Sequence, residues 1–409
     1  METAEPAFEG HSPIPLFRNR NFKLFFIGQL VSNTGNWLQL AAQNALVLQL
    51  TGSSFMVGVA TAALFLPVFF LALPGGHLAD RFDRRKLLMA TQLLAMMATG
   101  TLAILASTGR ATVAAVIAAA VVVGVQYALS IPTMMALLPS LVESRQIGLA
   151  IGMNAITYNV ARVLGPAVAA ALVFRIGFGM AFALNTLSFV ALIAALSMMR
   201  PREVAEPDEG GGSIRDVLRY AWRDKRVRLI LIGVATVPTA MDPVVTLGPR
   251  FAATLFAGNY EKAGYLVSAF GLGAIVATFV ATEGFRKHGA ARFDLLAPWS
   301  IVFAAGMLAF AFAPSFLIAG PALVVSGAAF LVVSTNWTAG LQEAAPEHMR
   351  GRIMAIWTLC SLGVRPFAAV IDGAIADLVS PQAAVIAMLV PLIVVGVFAS
   401  RSLRQAAST

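Results

Sequence analysis

Five charged side chains lie inside the predicted membrane-spanning stretches of the sequence, and their types suit ligand binding and proton transfer. They are Arg162, Asp242, Arg365 and, toward the outer end, Arg250 and Asp372. A charge at the centre of a membrane-spanning helix costs ~2.5–3.5 kcal/mol, so such residues are kept where they face a partner or a water-filled cavity. An arginine in that position can bind an anionic or polyhydroxylated ligand, and an acid can carry a proton.

The two acids are the candidates for proton coupling. Asp242 is the only acid near the middle of a predicted span, and it also fits a structural counter-ion to Arg162 or Arg365. Asp372 follows Arg365 by seven residues, on nearly the same helix face and ~10 Å further along the axis. Both interpretations of Asp242 remain open at the level of sequence.

A polar stripe marks the first predicted span. Gln29, Ser32, Asn36, Gln39 and Gln43 recur at spacings of three or four, which places them on one helical face. Such a face either lines a polar cavity or forms hydrogen bonds between helices, and five residues in register favour the cavity. The candidate substrate-binding residues are Asn36, Gln39, Gln43, Gln126, Tyr127, Tyr158, Arg162, Asn336, Trp337 and Arg365. Each amide or aromatic residue among them, taken singly, also fits ordinary packing.

The sequence contains no pattern for a metal site, a cofactor or direct use of ATP. All four histidines fall outside the predicted spans, the single Cys360 lies within one, and no phosphate-binding glycine loop of the Walker type is present. We therefore expect no metal, no cofactor and no enzymatic activity.

The composition predicts an all-α polytopic membrane protein. Of 409 residues, 58% are hydrophobic and only 12% are charged, which is more apolar surface than one soluble core can bury. Several uncharged runs reach the roughly 20 residues that a membrane-spanning helix needs. Twelve spans are predicted: 22–50, 55–75, 86–107, 111–138, 147–174, 178–199, 228–256, 262–283, 292–313, 315–341, 352–376 and 382–400.

The basic residues lie mostly on one side of these spans. The opposite side has only Arg110, Arg175 and Lys262. Positive loops stay in the cytoplasm, so we expect both termini there, in a bacterial-type inner membrane. The basic loops account for the net charge of +9, because they can contact anionic membrane lipid. We therefore expect no nucleic-acid partner.

The chain divides into two similar halves. A polar segment, 200–227, separates a predicted six-helix bundle over 1–199 from a second over 228–409. Glu143 and Pro166 recur as Glu343 and Pro366 at a constant offset of 200 residues. Duplicated, pseudo-symmetric helical halves around a central site are a common transporter design.

The loop GGHLADRFDRRK (75–86) resembles the signature loop of the major facilitator superfamily, G-x-L-A-D-R-x-G-R-R/K, with Asp83 in place of a glycine. The resemblance implies the major facilitator fold and transport by alternating access. It also implies that the loop holds the halves together on the cytoplasmic side. The candidate gate residues are Gly76, Asp80, Arg81, Arg84 and Arg85, with Glu143, Glu343, Gly165 and Pro166. An ordinary basic turn is the alternative interpretation of this loop.

The fifth span is similar to the antiporter signature G-x8-G-x3-G-P-x2-G-G. Gly152, Gly165 and Pro166 match, and alanines replace the other glycines, so a generic small-residue packing helix also fits. The segments FRNRNFKLFFIGQLVSNTG, LPSLVESRQIGLAIGMNA and PEHMRGRIMA resemble drug and siderophore exporters such as the enterobactin exporters and macrolide-efflux-like proteins.

These features predict a monomeric secondary transporter that exports a small organic molecule in exchange for protons. Two arginines against one mid-span acid favour an anionic or polyhydroxylated metabolite, siderophore or drug. Three alternatives remain open: import of a siderophore or other small metabolite, flipping of lysophospholipid, and a membrane scaffold without transport.

Overall fold

The computed structural model describes residues 14–200, 214–288, 291–346 and 349–407. Helices joined by short turns make up this part of the chain, and it contains no β-strand. The helices are α1 (Ile14–Arg18), α2 (Arg20–Thr51), α3 (Ser54–Arg81), α4 (Arg84–Ser107), α5 (Val113–Leu137), α6 (Ile147–Ile176), α7 (Phe178–Met198), α8 (Ile214–Arg223), α9 (Lys225–Thr246), α10 (Gly248–Leu255), α11 (Ala263–His288), α12 (Leu296–Ala311), α13 (Phe316–Ala344), α14 (Arg350–Leu362), α15 (Arg365–Leu378) and α16 (Pro381–Ala407).

The all-α polytopic class is confirmed, whereas the exact number of spans stays a prediction. Within the described residues, 10 segments are long and apolar enough to cross a membrane. The two further predicted spans correspond to α2, with 32 residues, and α11, with 26 residues. Helix α2 is less apolar because it carries the polar stripe.

Two predicted spans are interrupted helices. The span predicted over 228–256 is α9 followed by α10, with the break at Leu247. The span predicted over 352–376 is α14 followed by α15, and Pro366 lies in the first turn of α15. Proline cannot donate a backbone hydrogen bond, so the first turn is the helical position that tolerates it best.

Side-chain caps fix where several helices begin. Asn19 accepts hydrogen bonds from the first turn of α2, Ser53 caps α3 and Asp224 caps α9. Asp83, the residue that departs from the signature loop, accepts from the Lys86 amide at 2.8 Å and caps α4. An N-terminal cap contributes ~1 kcal/mol to helix stability, so this aspartate has a local structural reason.

The helices pack in two sets, which we call the N-half (α2–α7) and the C-half (α9–α16). Within the N-half α2 packs on α6 and α7, and α3 packs on α5; within the C-half α13 packs on α11 and α12. The halves meet where α3 packs on α15 and α6 packs on α11. Residues 201–213 of the predicted linker lie outside the described residues, and α8 occupies much of the remainder. The division into domains stays a prediction.

Glycines allow the two halves to approach closely. A side chain at Gly264 of α11 would overlap the backbone of Pro166 in α6, and one at Gly58 of α3 would overlap Ala369 in α15. Gly165 packs in the same way against the backbone of α2 at Thr34. The small residues of α6 therefore serve close helix packing, both within the N-half and against the C-half.

Candidate functional site: a cavity between the two halves

A cavity of about 430 Å³ lies between the two halves. It is lined from the first parts of α2 and α6, from the last parts of α5 and α13 and from the middle of α9. This places it nearer the side where Arg84, Arg200 and Arg226 lie, which we call the basic side. Met135 and Ile151 of its lining are 44% and 46% exposed, so the cavity is open to the surroundings.

Seven of the ten candidate substrate-binding residues line this cavity. They are Asn36, Gln126, Tyr127, Tyr158, Arg162, Trp337 and Arg365. They come from five helices and both halves, and the structure brings them together around one space.

The other three candidates are not among the lining residues, and their amides hydrogen-bond to other parts of the protein. Gln39 accepts a hydrogen bond from Asn185 at 2.6 Å, and Gln43 donates to the carbonyl of Ala60 at 3.4 Å. Asn336 accepts from the Arg292 amide at 2.9 Å. The polar stripe of α2 therefore splits: its first part lines the cavity and its last part packs.

Several lining residues were not predicted from the sequence. They include Asn33, Phe65, Gln92, Ser130, Phe330 and Trp357. Gln92 and Ser130 are polar residues in otherwise apolar runs, and that pattern indicates a polar environment within the membrane. The aromatic residues had no such signal, because aromatic side chains are common throughout apolar helices.

Arg162 is a buried cation at the cavity without a carboxylate partner among the described residues. It is 5% exposed, and its Nε and Nη2 atoms lack hydrogen-bond partners there. Its guanidinium carbon lies 5.2 Å from the ring centre of Phe330 and 5.9 Å from that of Phe270. Aromatic faces attract a cation but leave the N–H donors unused. The side chain can therefore bind an acceptor group of a ligand.

Arg365 has a counter-ion, in contrast to Arg162. Its Nε lies 3.5 Å from Oδ1 of Asp242, and these side chains are 2% and 0% exposed. The second oxygen of Asp242 accepts from Thr246 at 2.6 Å, and the Arg365 guanidinium carbon lies 4.0 Å from the ring centre of Phe65. The aspartate and arginine belong to the C-half and the phenylalanine to the N-half, so this ion pair adjoins the boundary between the halves.

Asp372 is the second buried acid of the C-half. It is 0% exposed, and its carboxyl group lies within hydrogen-bond reach of the carboxyl group of Asp242. It lies two turns after Arg365 in α15, further from the basic side. Asp242 and Asp372 thus share the C-half interior behind the cavity.

Hydrogen bonds between the halves close the side opposite the basic side, which we call the far side. The carboxylate of Asp377, at the end of α15, accepts from the Ser53 hydroxyl at 2.6 Å and from the amides of Ser54 and Phe55 at 2.9 Å. It therefore caps the start of α3 in the other half, where the helix dipole favours a negative charge. Asn44 also donates to the Val245 carbonyl at 3.0 Å.

The sequence and the fold of this chain are matched by known proteins. A family model described as transmembrane secretion effector, within the major facilitator superfamily, matches residues 11–408. The chain belongs to this family. This match confirms the family resemblance inferred from the signature loop. Members of the family are transporters and not enzymes.

The transporter has relatives that span almost its whole length. It is 21% identical to the multidrug efflux pump Tap of Mycolicibacterium fortuitum, over 92% of this chain and 94% of that protein. It is 23% identical to the enterobactin exporter EntS of Shigella boydii, over 92% of this chain and 90% of that protein. The crystal structure of the nucleoside transporter NupG has the same fold, with a TM-score of 0.74 and 12% sequence identity. The similarity covers 93% of this chain and 98% of that chain.

In this conformation of the transporter, the described signature-loop contacts stay within the N-half. Arg85 donates to the carbonyls of Met199 and Ser197 at the end of α7, at 2.8 and 2.9 Å, and Arg84 donates to Ala136 at 3.3 Å. Arg81 is exposed. Gly76 and Asp80 belong to α3, and the Asp80 side chain lies outside the described part. The gate role of this loop stays a prediction.

The two glutamates of the sequence repeat make different contacts. Glu143 pairs with Arg145 at 2.9 Å on the surface, whereas Glu343 accepts from the Ala291 amide at 2.5 Å. Both contacts remain within one half. The equivalent positions in the repeat therefore do not have equivalent partners in this conformation.

Proposed function

We propose that this transporter exports a small anionic or polyhydroxylated molecule in exchange for protons, by alternating access. The observation that supports this most is the cavity between the halves, with an unpaired arginine in its lining and hydrogen bonds across its far side. We place the transporter in the bacterial inner membrane, as a monomer with the basic side and both termini in the cytoplasm. The cavity would then load from the cytoplasm.

The charge of the cavity supports the choice of substrate. Arg365 is neutralised by Asp242, whereas Arg162 has no acid beside it in the described residues. A ligand that brings a carboxylate or several hydroxyl oxygens can satisfy the free Arg162 donors, and charge-assisted hydrogen bonds are the strong ones. Relatives named for drug and siderophore transport are consistent with substrates of this size.

The buried acids support proton coupling. Protonation of Asp242 would remove its attraction for Arg365 and free that guanidinium beside the cavity. Asp372 is buried beside Asp242, and moving a carboxylate out of water costs several kcal/mol, so Asp372 can change its charge state only if its surroundings change. A change of protonation and a rearrangement of the two halves would then depend on each other.

The proposal can be tested with purified transporter in two steps. A thermal-shift screen of organic acids, sugars and cationic dyes should find the acids and polyols the most stabilising. The strongest stabiliser is then assayed in inside-out vesicles. We expect an imposed pH gradient to drive its uptake, and Asp242→Asn protein to lose this driven uptake while retaining exchange of labelled for unlabelled compound.

The same vesicles separate the alternatives. Accumulation that occurs only in right-side-out vesicles would establish import, and movement of lysophospholipid alone would establish flipping. Preference for cationic dyes, or full pH-driven transport by Asp242→Asn protein, would overturn the proposed substrate or the proposed coupling residue, respectively. Binding of every class with no transport in either orientation would indicate a scaffold.

A further inference from the structure

Three glutamines of the N-half are among the lining residues of the cavity, and each has a buried side-chain carbonyl oxygen without a partner. Gln29, Gln92 and Gln126 are 4%, 1% and 3% exposed and come from α2, α4 and α5. The Oε1 atom of each is buried without a hydrogen-bond partner in the described residues. A buried acceptor without a donor is unfavourable, so these oxygens favour any ligand that supplies one.

The hydrogen bonds around Ser130 determine the orientation of the side-chain amides of Gln92 and Gln126. Thr91 donates its only hydroxyl hydrogen to the Leu88 carbonyl at 2.9 Å, so the Ser130 hydroxyl, 2.9 Å away, donates to Thr91. Ser130 can then only accept from the two glutamines, at 3.3 Å from Gln92 Nε2 and 3.1 Å from Gln126 Nε2. Because the NH₂ groups face Ser130, both Oε1 atoms are left as acceptors.

The amide of Gln29 is oriented by a similar chain. Thr157 donates to the Asn154 carbonyl at 2.7 Å and accepts from Asn33 Nδ2 at 3.3 Å. Asn33 Oδ1 must therefore accept from Gln29 Nε2, at 3.4 Å. The Gln29 oxygen is thus also left as an acceptor. Each series of hydrogen bonds begins at a hydroxyl that donates to a backbone carbonyl, and each ends at a glutamine oxygen without a partner.

We propose that Gln92 and Gln126, with Gln29, form a subsite for a group that carries at least two N–H or O–H donors. The two oxygens oriented by one serine suit an ammonium, a primary amide or a pair of neighbouring hydroxyls. This inference rests on the proposed function, because it assumes that the transported molecule occupies this cavity. The substrate is then an acid that also bears paired donors, rather than a simple organic anion.

The subsite and Arg162 lie at different depths. By the helical rise of 1.5 Å per residue, Arg162 is ~6–10 Å further from the basic side than Gln92 and Gln126. A molecule with its acidic and donor groups at opposite ends can contact both. The acid binds deep in the cavity and the donor group binds nearer the basic side.

Three related probes test this inference by equilibrium dialysis against full-length transporter in nanodiscs at neutral pH. Norfloxacin carries a carboxylate at one end and a secondary ammonium with two N–H donors at the other. N-acetylnorfloxacin lacks these donors, and norfloxacin methyl ester lacks the carboxylate. We expect wild-type protein to bind norfloxacin and to bind each derivative about tenfold more weakly, as loss of one strong hydrogen bond predicts.

Variants assign the two preferences to their residues. Gln126→Leu should abolish the preference for norfloxacin over its N-acetyl derivative and keep the preference over the methyl ester, whereas Arg162→Gln should do the reverse. Gln126→Glu keeps the acceptor and adds a negative charge, so it should bind norfloxacin more tightly, a gain that misfolded protein cannot produce. The exposed Gln49→Leu is the matched control and should behave as wild type.

Equal binding of norfloxacin and N-acetylnorfloxacin, no norfloxacin binding by wild type, or a preserved preference in Gln126→Leu would each overturn the subsite. Dialysis requires neither transport nor a proton gradient. Failure of pH-driven transport in vesicles would therefore refute the proposed export function while the measured binding preferences still decide the subsite.

Discussion

At the scale of single residues, the two cavity arginines differ in whether they have a counter-ion. Arg365 is compensated by Asp242, and Arg162 has only the rings of Phe270 and Phe330 beside its guanidinium. Sequence spacing identified both as intramembrane charges and gave Asp242 as a possible counter-ion to either. It could not select the pair, because the choice depends on how α9, α15 and α6 pack in three dimensions.

Arg162→Gln should weaken binding of an anionic ligand by about 10- to 100-fold, since a hydrogen bond to a charged group contributes ~1.5–3 kcal/mol. Arg162→Lys should retain part of the affinity, because lysine keeps the charge but loses the planar donor geometry. Titration of norfloxacin by fluorescence, with norfloxacin methyl ester as the control that lacks the carboxylate, measures both effects. Identical affinity in all three proteins would exclude Arg162 from anion binding.

Breaking the buried ion pair from one side should destabilise the fold more than removing both charges. Asp242→Asn leaves Arg365 buried without compensation, a change that costs ~3–5 kcal/mol in buried pairs. We expect the double variant Asp242→Asn with Arg365→Gln to recover much of the loss in melting temperature. The exposed pair of Glu143 and Arg145 is the matched control, and Glu143→Gln should shift the melting temperature little. Additive losses in the double variant would contradict this.

At the scale of helices, the contact between α3 and α15 holds the far side closed. Asp377 supplies one carboxylate to the hydroxyl of Ser53 and to two backbone amides of the other half. The sequence did not predict this, because an aspartate near the end of an apolar helix has the same local pattern whether it faces water or caps a distant helix. Only the packing of the two halves brings it to the start of α3.

Asp377→Ala should shift the conformational equilibrium toward an open far side by tenfold or more, since it removes three hydrogen bonds to a charged acceptor. Asp377→Asn should give an intermediate shift, because asparagine is also a good helix cap. Spin labels at Thr51→Cys and Leu378→Cys, in a Cys360→Ser background, report the distance across the far side. An unchanged distance distribution in Asp377→Ala would show that other contacts keep this side closed.

At the scale of the whole molecule, composition and the signature loop were sufficient to predict the membrane class and the family. Long apolar runs require helices in lipid, and the GGHLADRFDRRK loop carries the family resemblance. The breaks at Leu247 and between α14 and α15 were not predicted, because Pro243 and Pro366 are tolerated in or near helices in several ways. The split of the polar stripe of α2 was not predicted either, because it depends on where α7 contacts α2.

The cavity should be reachable by water-soluble reagents from the basic side alone in the conformation described. We expect Ser334→Cys, in a Cys360→Ser background, to react with a membrane-impermeant maleimide in inside-out vesicles and to be protected in right-side-out ones. Leu378→Cys, at a position 85% exposed on the far side, should give the opposite pattern. Labelling of Ser334→Cys from both sides would show that both access states are populated in the resting protein.

The seal between α3 and α15 has a pharmacological consequence. With the basic side in the cytoplasm, as proposed, a competitive blocker must first cross the membrane to reach the cavity of the resting protein. Compounds that resemble the cargo but permeate poorly would then test as inactive on intact cells, whatever their affinity. A molecule that instead inserts between Asp377 and the start of α3 would act from outside the cell and escape that permeability barrier.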